Sequence, residues 1–145
     1  MTPAELEHYL HAHIPLTRAM QLTVRGITAE QVVVSAPLAP NVNHQGTMFG
    51  GSASTLAIVA AWSLLHTRLR AAGLAPRLVI QHNTMDYEAP IDGECLATAM
   101  LDAQADWAAF VRTLRLRGRA RIAVIAQLSC GGQRVGQLAG EFVAR

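Results

Sequence analysis

The feature that most constrains this chain is a stretch without any charged side chain over residues 48–65. From Ala53 onward its apolar residues leave no polar face, and a helix of that kind must be covered on nearly all sides. The stretch opens with Gly50-Gly51-Ser52, so about thirteen apolar residues remain, fewer than the ~20 that a bilayer requires. We therefore predict a buried helix over residues 52–72, with Gly73 as its C-cap, rather than a membrane span.

The residue pattern on either side of that helix is typical of strands. A capping box at Thr2 predicts a first helix that ends near His13. A short helix is predicted over residues 105–112, and Gly131-Gly132 is predicted to close a hairpin. Strands are predicted over residues 20–27, 31–37, 77–88, 95–101, 116–129 and 133–143. One long helix between strands indicates a single α+β domain over residues 1–145, with an antiparallel sheet wrapped around a central helix, which is the hotdog arrangement.

The composition indicates a partner and a compartment. Hydrophobic residues make up 51% of the chain and charged residues only 15%, so we expect a second copy to cover apolar surface, as a homodimer or a dimer of dimers. A net charge of +2 is too small to predict nucleic acid or an anionic membrane as a partner. Cys95 and Cys130 form no disulfide framework, and the first residues do not resemble a signal peptide, so a cytoplasmic location is expected.

The segment with the most chemical information is Asn43-His44-Gln45-Gly46-Thr47-Met48-Phe49-Gly50-Gly51-Ser52. Paired glycines at the start of a helix let another group approach amides that have no partner within the helix. A thioester carbonyl placed there is stabilised as it becomes an oxyanion, and a phosphate is held by the same amides. The alternative is a tight turn into the helix, with Ser52 as the N-cap.

This segment, with Trp62 in the apolar helix that follows, resembles the thioesterase domain at the C-terminus of YiiD-type proteins. The Tyr87-Glu88-Ala89-Pro90 segment with the later Gly93, and the Leu38-Ala39-Pro40-Asn41 lead-in, resemble that family as well. The resemblance implies a hotdog fold, dimers or higher oligomers, and acyl-CoA or acyl-carrier-protein thioesters as substrates. Coenzyme A or the carrier protein enters as part of the substrate, and no separate cofactor is implied.

A second resemblance, to hotdog thioesterases of the phenylacetyl-CoA type, exposes a departure. Asn43, Gly46, Gly50 and Gly51 match that group's motif. However, Phe49 stands where the group has histidine, and Ile58 stands where it has a carboxylate that activates water or attacks the thioester. Another residue must therefore act as the base, or the chain is a poor hydrolase.

Several polar residues are candidates for the missing chemistry. His44 has a side chain suited to base catalysis near neutral pH, and Asn43 is suited to orienting water; the alternatives are an exposed loop histidine and a turn-forming asparagine. His82 and Asp86 share one strand face, where an exposed or structural role is the alternative. The remaining predicted substrate-binding residues come from the motif and the first helical turns, namely Gly46, Thr47, Phe49, Ser52, Ser54 and Thr55.

Arginines occupy every second position from 115 to 121. If this segment is a strand, it presents them on one face, and Arg117 and Arg119 are predicted to bind coenzyme A phosphates. The alternative is a solvated edge strand. No metal site is predicted, because His8, His11 and His13 read best as part of a solvated helix.

Taken together, the sequence predicts hydrolysis of an acyl-CoA or acyl-carrier-protein thioester. The amides of Gly50 and Gly51 polarise the carbonyl, and Asn43 with His44 positions or activates water. Two alternatives stay open: a non-catalytic acyl-thioester-binding domain, suggested by Ile58, and a hotdog hydroxyacyl-thioester dehydratase that uses His44 or His82 with Asp86.

Overall fold

In the computed structural model, which describes residues 1–145, an antiparallel sheet of six strands wraps around one long helix. This confirms the predicted α+β architecture. The helices are α1 Pro3–His13, α2 Pro15–Ala19, α3 Gly50–Ala71 and α4 Trp107–Arg117, and the strands are β1 Thr23–Ile27, β2 Gln31–Ala36, β3 Leu78–Tyr87, β4 Cys95–Leu101, β5 Ala120–Cys130 and β6 Gln133–Ala144.

The strand order is β1-β2-β4-β5-β6-β3, so β1 and β3 form the two edges of the sheet. The two edges differ in length, because β1 has 5 residues whereas β3 has 10. Every neighbouring pair is antiparallel. Gly131 and Gly132 form the predicted β5–β6 turn with φ of +58° and +78°, which glycine adopts without a steric cost.

Helix α3 packs against the concave face of the sheet, as its apolar sequence predicts. Eleven of its 22 residues are buried, from Ala53 to Leu69. A stripe of half-buried residues at a spacing of four runs along one side: Ser54, Ile58, Trp62 and His66. No helix in the structure is both long enough and apolar enough to cross a membrane.

The start of α3 differs from the sequence prediction. The helix begins at Gly50, two residues earlier than predicted, and Phe49 is the N-cap residue. The alternative that gave Ser52 as the N-cap is therefore wrong. The glycines lie inside the first turn, and no side chain caps this helix end.

A second difference lies between α1 and β1. Residues 15–19 form the additional short helix α2, and the first strand begins at Thr23 rather than at residue 20. Gln21 has a φ of +56°, which turns the chain between α2 and β1. Pro15 restricts the residue before it and then starts the new helix at its first position.

The predicted arginine strand is also wrong. Arg115 and Arg117 belong to α4, which the Asp106 side chain caps at its start by accepting a hydrogen bond from the Ala109 amide at 3.0 Å. Gly118 ends α4 in the left-handed conformation with a φ of +71°. The alternating arginines therefore span a helix end, a connection and a strand start, and they do not share one face.

A β-bulge in β3 decides which of its side chains face α3. Ile80 pairs with Phe142 but His82 pairs with Glu141, so Gln81 is an extra residue. Before the bulge, Leu78 and Ile80 point toward the core. Beyond it the inward set is odd-numbered, because Asn83, Met85 and Tyr87 pair with the buried Gly140, Leu138 and Gly136 of β6.

Candidate functional site

The loop that leads into α3 is held together by the side chain of Asn43. Its Oδ1 atom accepts hydrogen bonds from the backbone amides of Gln45 at 2.8 Å and Thr47 at 3.2 Å. Its Nδ2 group donates to Thr47 Oγ1 at 3.0 Å. Both ends of the amide are therefore occupied within the loop, as expected of a turn-forming asparagine.

Backbone hydrogen bonds fix the two residues that precede the helix. The Met48 amide donates to Ile91 O and the Phe49 amide donates to Asn41 O, both at 2.8 Å. Asn41 is itself buried, and its Nδ2 group donates to Met20 O at 2.9 Å and to Pro37 O at 2.8 Å. The position of the α3 N-terminus is therefore set by the interior of the fold rather than by a surface loop.

The amides of Gly50, Gly51 and Ser52 have no hydrogen-bond acceptor in the structure, and the first helical amide with a partner is that of Ala53, which donates to Phe49 O at 3.1 Å. Three free donors therefore point out of the start of a 22-residue helix, where the helix dipole is positive. This arrangement suits an oxygen that gains negative charge during a reaction.

Two aromatic side chains flank these amides. The Phe49 ring lies over Gly51, so that a β-carbon added there would come within 2.3 Å of Phe49 Cε2. The Tyr87 hydroxyl donates to Gly50 O at 3.2 Å, which brings the end of β3 against the helix start. Phe49 and Tyr87 are each 58% exposed, and neither supplies an acceptor to the free amides.

A cleft of about 330 Å³ opens beside the helix start, between the loop and the end of β3. Its wall includes Thr47, Gly50, Tyr87 and Glu88, and Glu88 is the one acidic side chain in the lining. The Glu88 carboxylate accepts two hydrogen bonds from Arg134, at 2.8 and 3.1 Å. Sequence reasoning missed Tyr87 and Glu88 as site residues, although their position at the end of a predicted strand was the available signal.

Other predicted site residues near the helix start have local roles. His44 is exposed, and its Nε2 atom lies 3.4 Å from Gln45 Nε2. Gly46 turns the loop with a φ of +81°. Ser54 donates to Gly51 O at 3.2 Å, and Thr55 is half-buried in the second turn of α3.

The structure does not bring the remaining predicted residues to this site. His82, Thr84 and Asp86 do share a face, as predicted, but it is the outer face of the sheet. Their partners on β6 are Glu141, Ala139 and Gln137, which alternate with the buried residues that point toward the helix. His82 and Asp86 therefore do not line the cleft beside the amides of their own chain. Arg117, the last residue of α4, and Arg119, in the connection that follows, are exposed and do not line the cleft.

The sheet, the central helix and the free amides together define a protein of the hotdog class. Residues 3–145 match the family described as "Putative thioesterase (yiiD_Cterm)", and the chain belongs to that family. This confirms the resemblance found in the sequence and supports thioester hydrolysis as the general activity.

Solved structures agree with this assignment. A structure from Shewanella oneidensis, described as a "putative thioesterase", is 26% identical with a TM-score of 0.87, and the match covers 98% of this chain and 96% of that chain. A "probable thioesterase" from Pseudomonas aeruginosa is 26% identical with a TM-score of 0.83, and the match covers 99% and 95%. The Escherichia coli PaaI protein of the phenylacetic acid degradation operon, 13% identical with a TM-score of 0.73 over 99% and 93% of the chains, shares the fold.

Proposed function

We propose that this protein hydrolyses an acyl-CoA or acyl-carrier-protein thioester at the start of α3. The observation that carries the proposal is the set of three free amides, at Gly50, Gly51 and Ser52, beside an open cleft. The thioester carbonyl oxygen accepts hydrogen bonds from the amides of Gly50 and Gly51. Water adds to the carbonyl carbon, the amides stabilise the tetrahedral oxyanion, and the thiolate leaves as the carbonyl re-forms.

Two residues compete for the role of general base. The sequence predicts His44, with Asn43 keeping the loop in place around it. The geometry favours Glu88, because Glu88 lines the cleft with Gly50 whereas His44 does not. The hydrogen bonds from Arg134 fix the direction of that carboxylate, as an orienting partner does for a catalytic base.

Three single substitutions separate these candidates. Glu88→Gln should lower kcat by about 10²–10⁴, the usual contribution of a positioned base. Its unfolding free energy should change by less than ~1 kcal/mol, because the Glu88–Arg134 pair is solvent-exposed. Glu94→Gln is a matched control, since Glu94 is an exposed carboxylate paired with Arg25 at 2.9 Å.

Thiol release from a panel of acyl-CoAs is the assay for these variants. A loss of rate in His44→Ala with an unchanged rate in Glu88→Gln would assign the base to His44. Equal rates in all variants would remove both residues from the mechanism. No thiol release from any thioester, in the presence of measurable binding, would contradict the hydrolase proposal.

The second copy expected from the composition is proposed to pair along β3. This edge strand has 10 residues, no proline and no lysine, and it carries exposed Val79 and Tyr87. A two-fold axis at Thr84 places His82 of each copy opposite Asp86 of the other, so an imidazole can hydrogen-bond to a carboxylate at two symmetric positions. The half-buried stripe on α3 indicates unfilled contact area as well.

A charge exchange tests this pairing. His82→Asp places two carboxylates opposite each other at two symmetric positions, and it should raise the dimer dissociation constant about tenfold or more. Adding Asp86→His to that variant should restore the wild-type value in sedimentation equilibrium. If neither variant changes the dimer dissociation constant, the two copies pair through another surface.

The alternative functions differ in their support. A non-catalytic thioester-binding domain is favoured by one observation, the half-buried apolar Ile58 where related enzymes carry a carboxylate. The dehydratase alternative is weakened by the position of His82 and Asp86 on the outer face of the sheet. Loss of water from a hydroxyacyl thioester without thiol release would nevertheless establish it.

A further inference from the structure

The cleft beside the free amides has an exposed rim and a buried floor. Residues 87–90 on its outer side are exposed. On its inner side, Met48 and Ile91 are each 5% exposed and Ala53 is 1% exposed. These three floor residues belong to the hydrophobic core, and none of them is part of the half-buried stripe on α3. The cleft therefore leads from the surface down to the core of a single chain.

The floor is fixed in position relative to the amides. Ala53 follows Gly50 by one helical turn, so the two residues lie on the same side of α3, and both line the cleft. The Met48 amide donates to Ile91 O at 2.8 Å, which holds the backbones of the other two floor residues together. A group bound at the Gly50 amide therefore has three apolar side chains on its inner side.

The volume of the cleft limits the length of a chain that lies in it. A dry cavity of about 150 Å³ holds one benzene ring, so a cleft of about 330 Å³ has room for about twelve heavy atoms. The carbonyl carbon and oxygen, the sulfur and the attacking water use about four of these, which leaves about eight for the rest of the acyl chain.

The charges around the cleft are unfavourable for an anionic chain. No arginine, lysine or histidine lines the cleft, and Glu88 is the one acidic side chain there. Arg134 lies nearby, but it is already paired with the Glu88 carboxylate. A second carboxylate at the end of an acyl chain would therefore lie near Glu88 or against the apolar floor without a cation of its own, and burial of an unpaired charge is costly.

We infer that the cleft selects a short, uncharged acyl chain, which packs against Met48, Ala53 and Ile91 while its carbonyl oxygen accepts hydrogen bonds from the free amides. The position of the carbonyl rests on the proposed function. Met48 sets the maximum chain length, because it is the longest and most flexible side chain of the floor. A longer chain has to displace Met48 or leave its end in water.

A series of straight-chain acyl-CoAs, from acetyl to palmitoyl, tests this limit in the wild type. The kcat/KM for thiol release should rise about fourfold with each added methylene, up to about eight carbons beyond the carbonyl, and should fall for longer chains. Butyryl-CoA and succinyl-CoA have the same number of acyl carbons and differ in the terminal carboxylate. Succinyl-CoA should have a kcat/KM lower by about tenfold or more.

A substitution of Met48 tests which residue sets the limit. Met48→Ala frees the space of about three heavy atoms on the floor, so the preferred chain should become longer by about two or three methylenes. Met100→Ala is the matched control, because Met100 is half-buried on β4 and does not line the cleft; it should leave the preferred length unchanged. Urea unfolding checks that each variant is folded, and the wild-type series tests the inference even if Met48→Ala does not fold.

Binding of a substrate analogue separates this inference from the proposed function. S-(2-Oxoalkyl)-coenzyme A ketones keep the carbonyl oxygen but have a methylene between the carbonyl and the sulfur, so they have no thioester bond to hydrolyse. Calorimetric titration with these ketones should show the same length limit. If no thioester is hydrolysed but this limit is found and moves in Met48→Ala, the proposed function fails and the inference stands.

Three results would overturn the inference. One is a kcat/KM that keeps rising to palmitoyl-CoA, and another is an equal kcat/KM for butyryl-CoA and succinyl-CoA. The third is an unchanged preferred length in a folded Met48→Ala variant. Ketone binding that does not depend on chain length would lead to the same conclusion without any measurement of turnover.

Discussion

Replacing Gly51 by alanine probes the contact between the Phe49 ring and the start of α3. The new β-carbon would lie 2.3 Å from Phe49 Cε2 and 2.9 Å from Phe49 Cζ, well inside the van der Waals contact of about 3.5–4.0 Å. The ring must therefore move by more than ~1 Å to reach ordinary contact. Since Phe49 is 58% exposed, it can rotate into solvent rather than into the core.

Two opposing effects set the size of the change. Overpacking costs about 1–3 kcal/mol, and we expect about 2 kcal/mol here, because the ring must leave its place over Gly51 but is free to turn into solvent. Alanine in a helix is favoured over glycine by about 0.8–1.0 kcal/mol. We expect Gly51→Ala to destabilise the protein by about 1 kcal/mol, and to stabilise it slightly in a Phe49→Ala background, with a coupling energy of about 1–2 kcal/mol.

The assay is a double-mutant cycle of urea unfolding on wild type, the two single variants and the double variant, with thiol release measured on each. Hydrolysis should fall in Gly51→Ala, because the methyl group crowds the free amides, and it should recover partly when Phe49 is removed. Equal destabilisation by Gly51→Ala in both backgrounds would show that the ring does not rest on Gly51, and the reasoning would be refuted.

Three further outcomes are expected. In the native protein at pH 8, Cys130 should react with a disulfide reagent while Cys95 stays unreactive, since burial raises the pKa of Cys95 to about 12; equal reactivity would contradict this. The pKa of His66 is lowered in the folded protein, so the unfolded chain takes up the proton at a higher pH than the folded protein does. The free energy of unfolding should therefore drop as the pH falls below about 6.5. The difference in melting temperature between pH 7.5 and pH 5 should be smaller in His66→Phe than in the wild type. Gly136→Ala should lower the melting temperature, because the β-carbon would lie 2.7 Å from the carbonyl oxygen of Asp86 and force two backbones apart; Gly26→Ala, with nothing within 4 Å, is its control.

The long apolar helix was predictable because it rests on composition over many residues. An uncharged segment of that length has to be buried, whatever its exact ends. The β4 strand was predicted at its observed bounds, and the Gly131-Gly132 turn was predicted from residues with a strong local preference. Motif residues around Gly50 identified the family for the same reason, since they are contiguous in the chain.

The errors fall where a single residue or a distant partner decides the structure. The alternation of arginines resembles a strand, but the Asp106 cap and Gly118 in the left-handed conformation together make residues 107–117 a helix. Glu88 lies in the cleft only because the fold brings the end of β3 to the start of α3. The motif Tyr87-Glu88-Ala89-Pro90 resembles the family, but it does not show by itself that Glu88 lies beside the start of α3.

The β-bulge at Gln81 decides which side chains of β3 face the helix along the rest of this edge strand. If β3 kept its length but paired without the bulge, every residue from 82 onward would move by one position along β6, and the two sets of side chains would exchange faces. His82 and Asp86 would then turn toward the helix, and Tyr87 would release its hydrogen bond to Gly50. Gaining or losing the bulge, with the sequence of the strand otherwise unchanged, is therefore a short route by which a hotdog protein can replace a hydroxyl at the helix by an imidazole and a carboxylate.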